Sequence, residues 1–211
     1  MPKLRVFYTK SDDLRYISHL DCNRLMMRLF RRAEVEAGYT QGYNPHLDIA
    51  FALPLSLGFG STCEAVDFTV AEDVDIADIT ARLAAAAPPG MEVLRVAAPV
   101  HKPGAITASR YTMVLTPASA LEDVQKALTA DLSAQKRTKK GTMVEVSLSA
   151  HLHDVALSAQ DDMLHLAVTL PAGSGENVNP KLLADALSER CGVALGDVTR
   201  VRLFVGEDDF Q

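Results

Sequence analysis

The sequence predicts an α+β fold made of two successive βαββαβ units. Three observations carry this reading: short stretches alternate apolar and polar residues, each half holds two stretches of helical period, and the element order of the first half recurs in the second. The first predicted strands begin at 3 and 110, and the last at 91 and 198, so both pairs lie 107 residues apart. No residue-level similarity accompanies the recurrence, which is a repeat of pattern only.

Residues 3–8 alternate among β-formers and read as a strand. Ser18-His-Leu-Asp21 opens a helix, with Ser18 a good N-cap and Asp21, three residues on, an acidic variant of the capping box. Cys22, Leu25, Met26, Leu29, Phe30 and Ala33 then recur at helical spacing, one face of a helix reaching about Ala37 and stopped by Gly38. Residues 47–53 form a second strand ended by Pro54, and 62–70 a third. An Asp-rich start and Pro88-Pro89-Gly90 bound a helix over 75–87, followed by a fourth strand over 91–97.

Residues 99–109 are linker-like, dividing the chain into 1–98 and 110–211. In the second part 110–116, 142–148, 163–170 and 198–205 read as strands, 119–130 and 179–191 as helices, and 135–141 as a basic loop. The stretch 149–160 is longer than a hairpin needs and leaves room for a turn of helix. The acidic end, 207–211, is expected to fray. Each βαββαβ order implies a split-βαβ, ferredoxin-like unit, an antiparallel sheet with two helices on one face.

Composition excludes several classes. No run approaches the roughly 20 apolar residues that span a bilayer, so no membrane role is expected. The first residues, Met-Pro-Lys-Leu-Arg-Val, hold no apolar signal core, and a cytoplasmic location follows as the expectation. Cys22, Cys63 and Cys191 are odd in number and far apart, so they read as buried small hydrophobes rather than a disulfide framework or metal cluster. No cofactor motif or metal-ligand spacing stands out. The net charge is −6, but residues 1–32 carry eight Lys/Arg against three Asp/Glu, and 151–211 carry four against ten. A local basic face can hold an anion whatever the total.

Four groups of residues could carry chemistry. Arg24, Arg28 and Arg31 fall opposite the apolar stripe of the first helix, with Arg32 at its flank; they serve either as a solvated face or as a guanidinium row for phosphates. The segment Tyr39-Thr-Gln-Gly-Tyr-Asn-Pro-His46 is a dense turn signal, in which Tyr39, Gln41, Tyr43, Asn44 and His46 could read a ligand. His19, in the first turn of the helix, is either a locally satisfied histidine or an acceptor or general base. Lys136, Arg137, Lys139 and Lys140 form the sharpest basic run, a solvated hairpin or a phosphate-contacting arm. His46 and His19 are expected at opposite ends of the first helix unless the connecting loop folds back. Asp48 would share a face with His46 if both lay in strand.

Ser18-His-Leu-Asp21, the 39–46 segment and Phe51-Ala-Leu-Pro-Leu, taken together and in order, resemble the bacterial radical SAM-linked protein family, a domain of unknown function found alone or fused behind B12-binding radical SAM proteins. The resemblance is strong over about residues 1–70 and looser beyond, where Arg137-Thr-Lys-Lys-Gly141 and Asn179-Pro-Lys-Leu-Leu183 look like family features. One departure stands out: Leu47-Asp48 occupies places where the family has Pro and a basic residue. The resemblance implies association with a radical SAM enzyme and, through typical gene neighbours, an RNA substrate such as tRNA or rRNA. It implies no catalytic activity. The chain lacks the three clustered cysteines of the radical enzyme itself. The expected function is therefore a non-catalytic RNA- or substrate-binding module. The alternatives are an RNA-processing or hydrolytic enzyme using His46 or His19 as general base, and a protein-interaction partner without nucleic-acid binding.

Overall fold

A computed structural model of the chain describes residues 2–70, 74–137 and 141–211, with the backbone alone at 136 and 137. The chain is a mixed α+β protein with mostly antiparallel strand pairing and four helices among the described residues. It divides into two compact units, Met1–Ile106 with Asp208–Gln211, and Thr107–Glu207. Among the described residues no helix is long and apolar enough to cross a membrane.

The first unit is built from β1 (Lys3–Lys10), α1 (His19–Arg32), β2 (Ile49–Phe51), β3 (Gly60–Thr69), α2 (Ile76–Ala86) and β4 (Val93–Ala97). β1 pairs antiparallel with both β3 and β4, and β2 pairs antiparallel with β3, giving the order β4-β1-β3-β2. Alternation along β1 sends Leu4, Val6 and Tyr8 to a core shared with Val66 and Phe68 of β3, Met26, Leu29 and Phe30 of α1, and Ile79 and Leu83 of α2. Both helices therefore cover one face of this sheet. Arg5 and Phe7 point to the other face. Arg5, fully buried, pairs with Asp67 directly across on β3, and the Arg95 guanidinium lies 3.8 Å over the Phe7 ring.

Both helix starts form as the sequence predicts. Ser18 Oγ accepts from the Asp21 backbone N–H at 3.2 Å and donates to the Asp21 carboxylate at 2.7 Å, while the Asp75 carboxylate accepts from the N–H groups of Ala77 and Asp78. That hydroxyl, together with Arg24, holds the Asp21 carboxyl below its ordinary pKa. The stabilisation is thus complete at neutral pH and is lost only as pH falls through the lowered value. Ser18→Ala is expected to cost about 1 kcal/mol in urea unfolding at pH 7.

The end of α1 differs from expectation. It stops at Arg32 rather than near Ala37, because Glu34 takes a left-handed φ of 52° and turns the chain into an extended course. Arg82 of α2 holds this turn, donating from Nη1 to the carbonyls of Ala33 (3.2 Å) and Glu34 (2.7 Å), a cationic cap on the helix C-terminus. The second strand is also much shorter than 47–53.

The second unit contains β5 (Ala108–Thr116), α3 (Leu121–Thr129), β6 (Ser133–Arg137), β7 (Met143–Ser147), β8 (His153–Gln160), β9 (Met163–Pro171), α4 (Pro180–Cys191) and β10 (Ala194–Val205). Its sheet runs β10-β5-β9-β8, every neighbour antiparallel. The strand expected over 142–148 forms as β7, but it is half of a separate hairpin rather than part of this sheet, and the other half, β6, occupies part of the expected basic loop. The sheet's own strand at that place is β8, within the stretch expected to leave room for a turn of helix. Only the Ser149–His151 turn of 3-10 helix answers that expectation.

The acidic end does not fray. Phe210 is buried against Arg5, whose guanidinium lies 4.1 Å from the ring centroid, and the Gln211 carbonyl accepts from the backbone N–H groups of Val100 and His101. The cysteines are free and partly exposed rather than buried, and burial pushes the thiols of Cys22 and Cys191 above their ordinary pKa. Thiols kept protonated in this way are weak nucleophiles.

Candidate ligand-binding site

Helical geometry distributes the arginines of α1 to its two flanks. Arg24, Arg28 and Arg32, spaced i, i+4, i+8, stand along a recess of about 390 Å³ whose floor is Ile17, Leu25, Leu29, Ala86 and Pro88. Arg24 is bridged to Asp21 at 3.0 Å. Arg28 and Arg32 are exposed and make no hydrogen bond or ion pair among the described residues. Arg31 leaves this row for the other flank. Sequence reasoning placed Arg31 with Arg24 and Arg28, and the structure puts Arg32 there instead.

The course after α1 is fixed by short anchors. Val35 N–H donates to the Phe30 carbonyl, Ala37 bridges to Val70, and Gly38 N–H donates to the Thr69 carbonyl. The chain then folds back on itself: Tyr39 bridges Leu47, Thr40 N–H donates to the His46 carbonyl, and Asp48 N–H donates to the Gly38 carbonyl, each bond 2.8 Å. Alternation buries Val35, Ala37 and Leu47 and turns Glu34, Glu36, Tyr39 and His46 outward.

A second pocket, about 490 Å³, lies between this segment and the end of α1. Met27, Phe30, Val35, Ala37 and Leu47 form its apolar lining. Arg31, Glu34, Glu36, Tyr39 and His46 supply its polar groups, with Pro45 beside them. His46 Nδ1 is 3.2 Å from the Asn44 carbonyl and 3.1 Å from Thr40 Oγ1. Both contacts engage Nδ1, and Nε2 has no partner among the described residues.

Of the residues singled out in the sequence, Tyr39, His46 and Arg31 therefore meet in one pocket. Gln41, Tyr43 and Asn44 are exposed on the same loop without lining it, and the Tyr43 side chain is wholly in solvent. His19 stands in the first turn of α1 with its ring edge-on to Phe51 at 4.9 Å, whereas His46 lines a pocket with Met27, Phe30 and Arg31. The two histidines thus sit by opposite ends of the helix, and no acid–base pair forms between them. Asp48 lies outside both strand and pocket. Lys136 and Arg137 belong to the backbone of β6, while Lys139 and Lys140 lie outside the described residues. No group of three or more His, Cys, Asp or Glu that could hold a metal occurs among the described residues. Glu34 and Glu36 were missed because the helix was expected to run through them. Their alternation with Val35 and Ala37 was the available signal.

The molecule is thus an α+β protein with antiparallel sheets and two recesses flanking its first helix. It belongs to the family described as an uncharacterized protein conserved in bacteria (DUF2344), whose model matches residues 3–180. No curated protein matches the chain. Among solved structures it is similar in fold to a chain of a Cbf5-Nop10-Gar1 complex, at 7% identity and a TM-score of 0.50, over 95% of this chain and 48% of that one. It spans about half the length of that relative. An unknown protein from Galdieria sulphuraria matches over 95% of this chain and 98% of its own, at 13% identity and a TM-score of 0.27, a likeness too low to carry an argument.

Proposed function

We propose that the protein is a non-catalytic RNA-binding module, acting on tRNA or rRNA beside a radical SAM enzyme. Its two units are read as ferredoxin-like, since β4-β1-β3-β2 and β10-β5-β9-β8 both place the fourth, first, third and second strands of a βαββαβ order side by side, with the β6–β7 hairpin inserted in the second. One observation carries the RNA reading: Arg24, Arg28 and Arg32 share one recess, and the last two have no partner among the described residues. Unengaged guanidinium groups suit phosphate oxygens, which accept forked bonds. The apolar floor beneath them suits the sugar or base of a strand. The radical SAM association rests on the sequence resemblance, and co-purification with such an enzyme tests it.

Binding of single-stranded RNA should weaken steeply with salt, log K falling by about 0.7 per decade of salt for each phosphate contacted. Arg28→Glu with Arg32→Glu should lower affinity by at least about tenfold and flatten that slope. Absence of binding at low salt, or an unchanged slope in the double variant, defeats the reading.

A further inference from the structure

The two recesses of α1 differ in charge, and the difference separates two parts of a nucleotide. The pocket beside Arg31 carries one guanidinium against the carboxylates of Glu34 and Glu36. The side chains of Arg31, Glu34 and Glu36 have no hydrogen-bond or ion-pair partner among the described residues. Carboxylates therefore outnumber guanidinium groups two to one, and the formal charge is −1, histidine counted as neutral. Such a lining repels phosphate and calls for a ligand that brings N–H donors. The floor of Phe30, Val35, Ala37 and Leu47 calls for a flat apolar body, and the exposed ring of Tyr39 beside it offers a stacking face.

We propose that this pocket takes an unpaired guanine base, an inference that rests on the RNA reading above. Guanine alone among the four bases places two donors side by side on its Watson–Crick edge, N1–H and the N2 amino group, matching the two oxygens of one carboxylate. Adenine and cytosine put a ring acceptor beside their single amino group, and uracil flanks its one N–H with two carbonyls. Each would set an acceptor against a carboxylate. A lysine or arginine side chain from a protein also brings donors and would be drawn by the two carboxylates, but a base also covers the apolar floor and brings, on its own strand, the phosphates that the arginine row across the helix suits. The backbone phosphates of the same strand fall to Arg24, Arg28 and Arg32 across the helix, about 10 Å away.

The test titrates the full chain with 5′-GMP, 5′-AMP and a short arginine-rich peptide, followed by calorimetry and by backbone amide NMR. GMP is expected to shift amides around 31–47 and to bind at least about tenfold tighter than AMP, the discrimination of one bidentate pair. Glu34→Gln with Glu36→Gln should erase that preference while leaving the rest of the spectrum in place. Equal affinity for GMP and AMP, a preference that survives in the double variant, or seating of the peptide in place of GMP overturns the proposal. If the preference is absent while RNA binding still depends on salt and on Arg28 and Arg32, the guanine pocket alone fails. If GMP seats as described and RNA does not bind, the RNA reading alone fails.

Discussion

Arg5→Ala is expected to destabilise the first unit by about 3–5 kcal/mol. Arg5 is fully buried, and its Nε and Nη2 donate to the two oxygens of Asp67 at 2.5 and 3.0 Å. Its Nη1 donates to the Gln211 carbonyl at 2.7 Å and Nη2 also to the His101 carbonyl at 2.8 Å. Removing the guanidinium leaves the Asp67 carboxylate and the His101 carbonyl without the donors it supplied, takes one of three donors from the Gln211 carbonyl, and removes the cation from the face of Phe210. The cost is therefore that of an orphaned buried charge, not the net worth of the pair. Arg5→Leu with Asp67→Leu removes both charges and should recover much of the loss, which a urea-unfolding double-mutant cycle measures. A single-variant cost under about 1 kcal/mol would show that the charges are not held out of water.

Phe30→Ala should cost about 3–5 kcal/mol, and it should also damage the pocket. Phe30 is 1% exposed, meets Phe68 edge-to-face at 4.7 Å, and forms part of the floor beside Arg31. The edge-to-face pair itself contributes roughly 0.5–1.5 kcal/mol beyond burial, and the rest is lost transfer energy and the cavity left behind. Phe30→Leu keeps most of the volume and should cost markedly less. Thermal unfolding of the two variants separates them: equal midpoints would mean that the ring packs no better than an aliphatic chain. The alanine variant should also bind GMP more weakly than the leucine variant, because the hole opens directly beneath the proposed base.

What the sequence disclosed depended on how local the determining physics was. Ser18 and Asp75 cap helices through bonds spanning two or three residues, and both starts were legible. The stop of α1 was not, because it depends on Glu34 held left-handed by Arg82, which lies 48 residues away. In the second unit, Met-Val-Glu-Val-Ser of β7 has the alternation of β-branched residues that advertises a strand, yet it lies outside the main sheet. β8, with His-Asp-Val-Ala-Leu-Ser-Ala-Gln, is an edge strand exposed along nearly its whole length and carries no such pattern. Its pairing to β9 is a tertiary decision. The acidic end was misread because its charges outweighed one phenylalanine, whose burial governs it.

The candidate site was legible as residue types and not as an arrangement. A helical wheel puts Arg31 and Arg32 on adjacent sides of one polar face. Only the packing of α2 on one flank and the 35–47 segment on the other divides that face into two recesses.

The return of residues 208–211 to the first unit bears on how the protein is made. Phe210 and the carbonyl of Gln211 close over an arginine synthesised some 200 residues earlier. While the ribosome is still making the second unit, Arg5 and Asp67 can form their pair but lack the groups that seal it. Translation therefore sets the order of events: the first unit begins to form early and is completed only after the second unit has been made. A fragment ending at Ile106 would be a nascent intermediate, permanently arrested before its closing step, and not a minimal version of that unit.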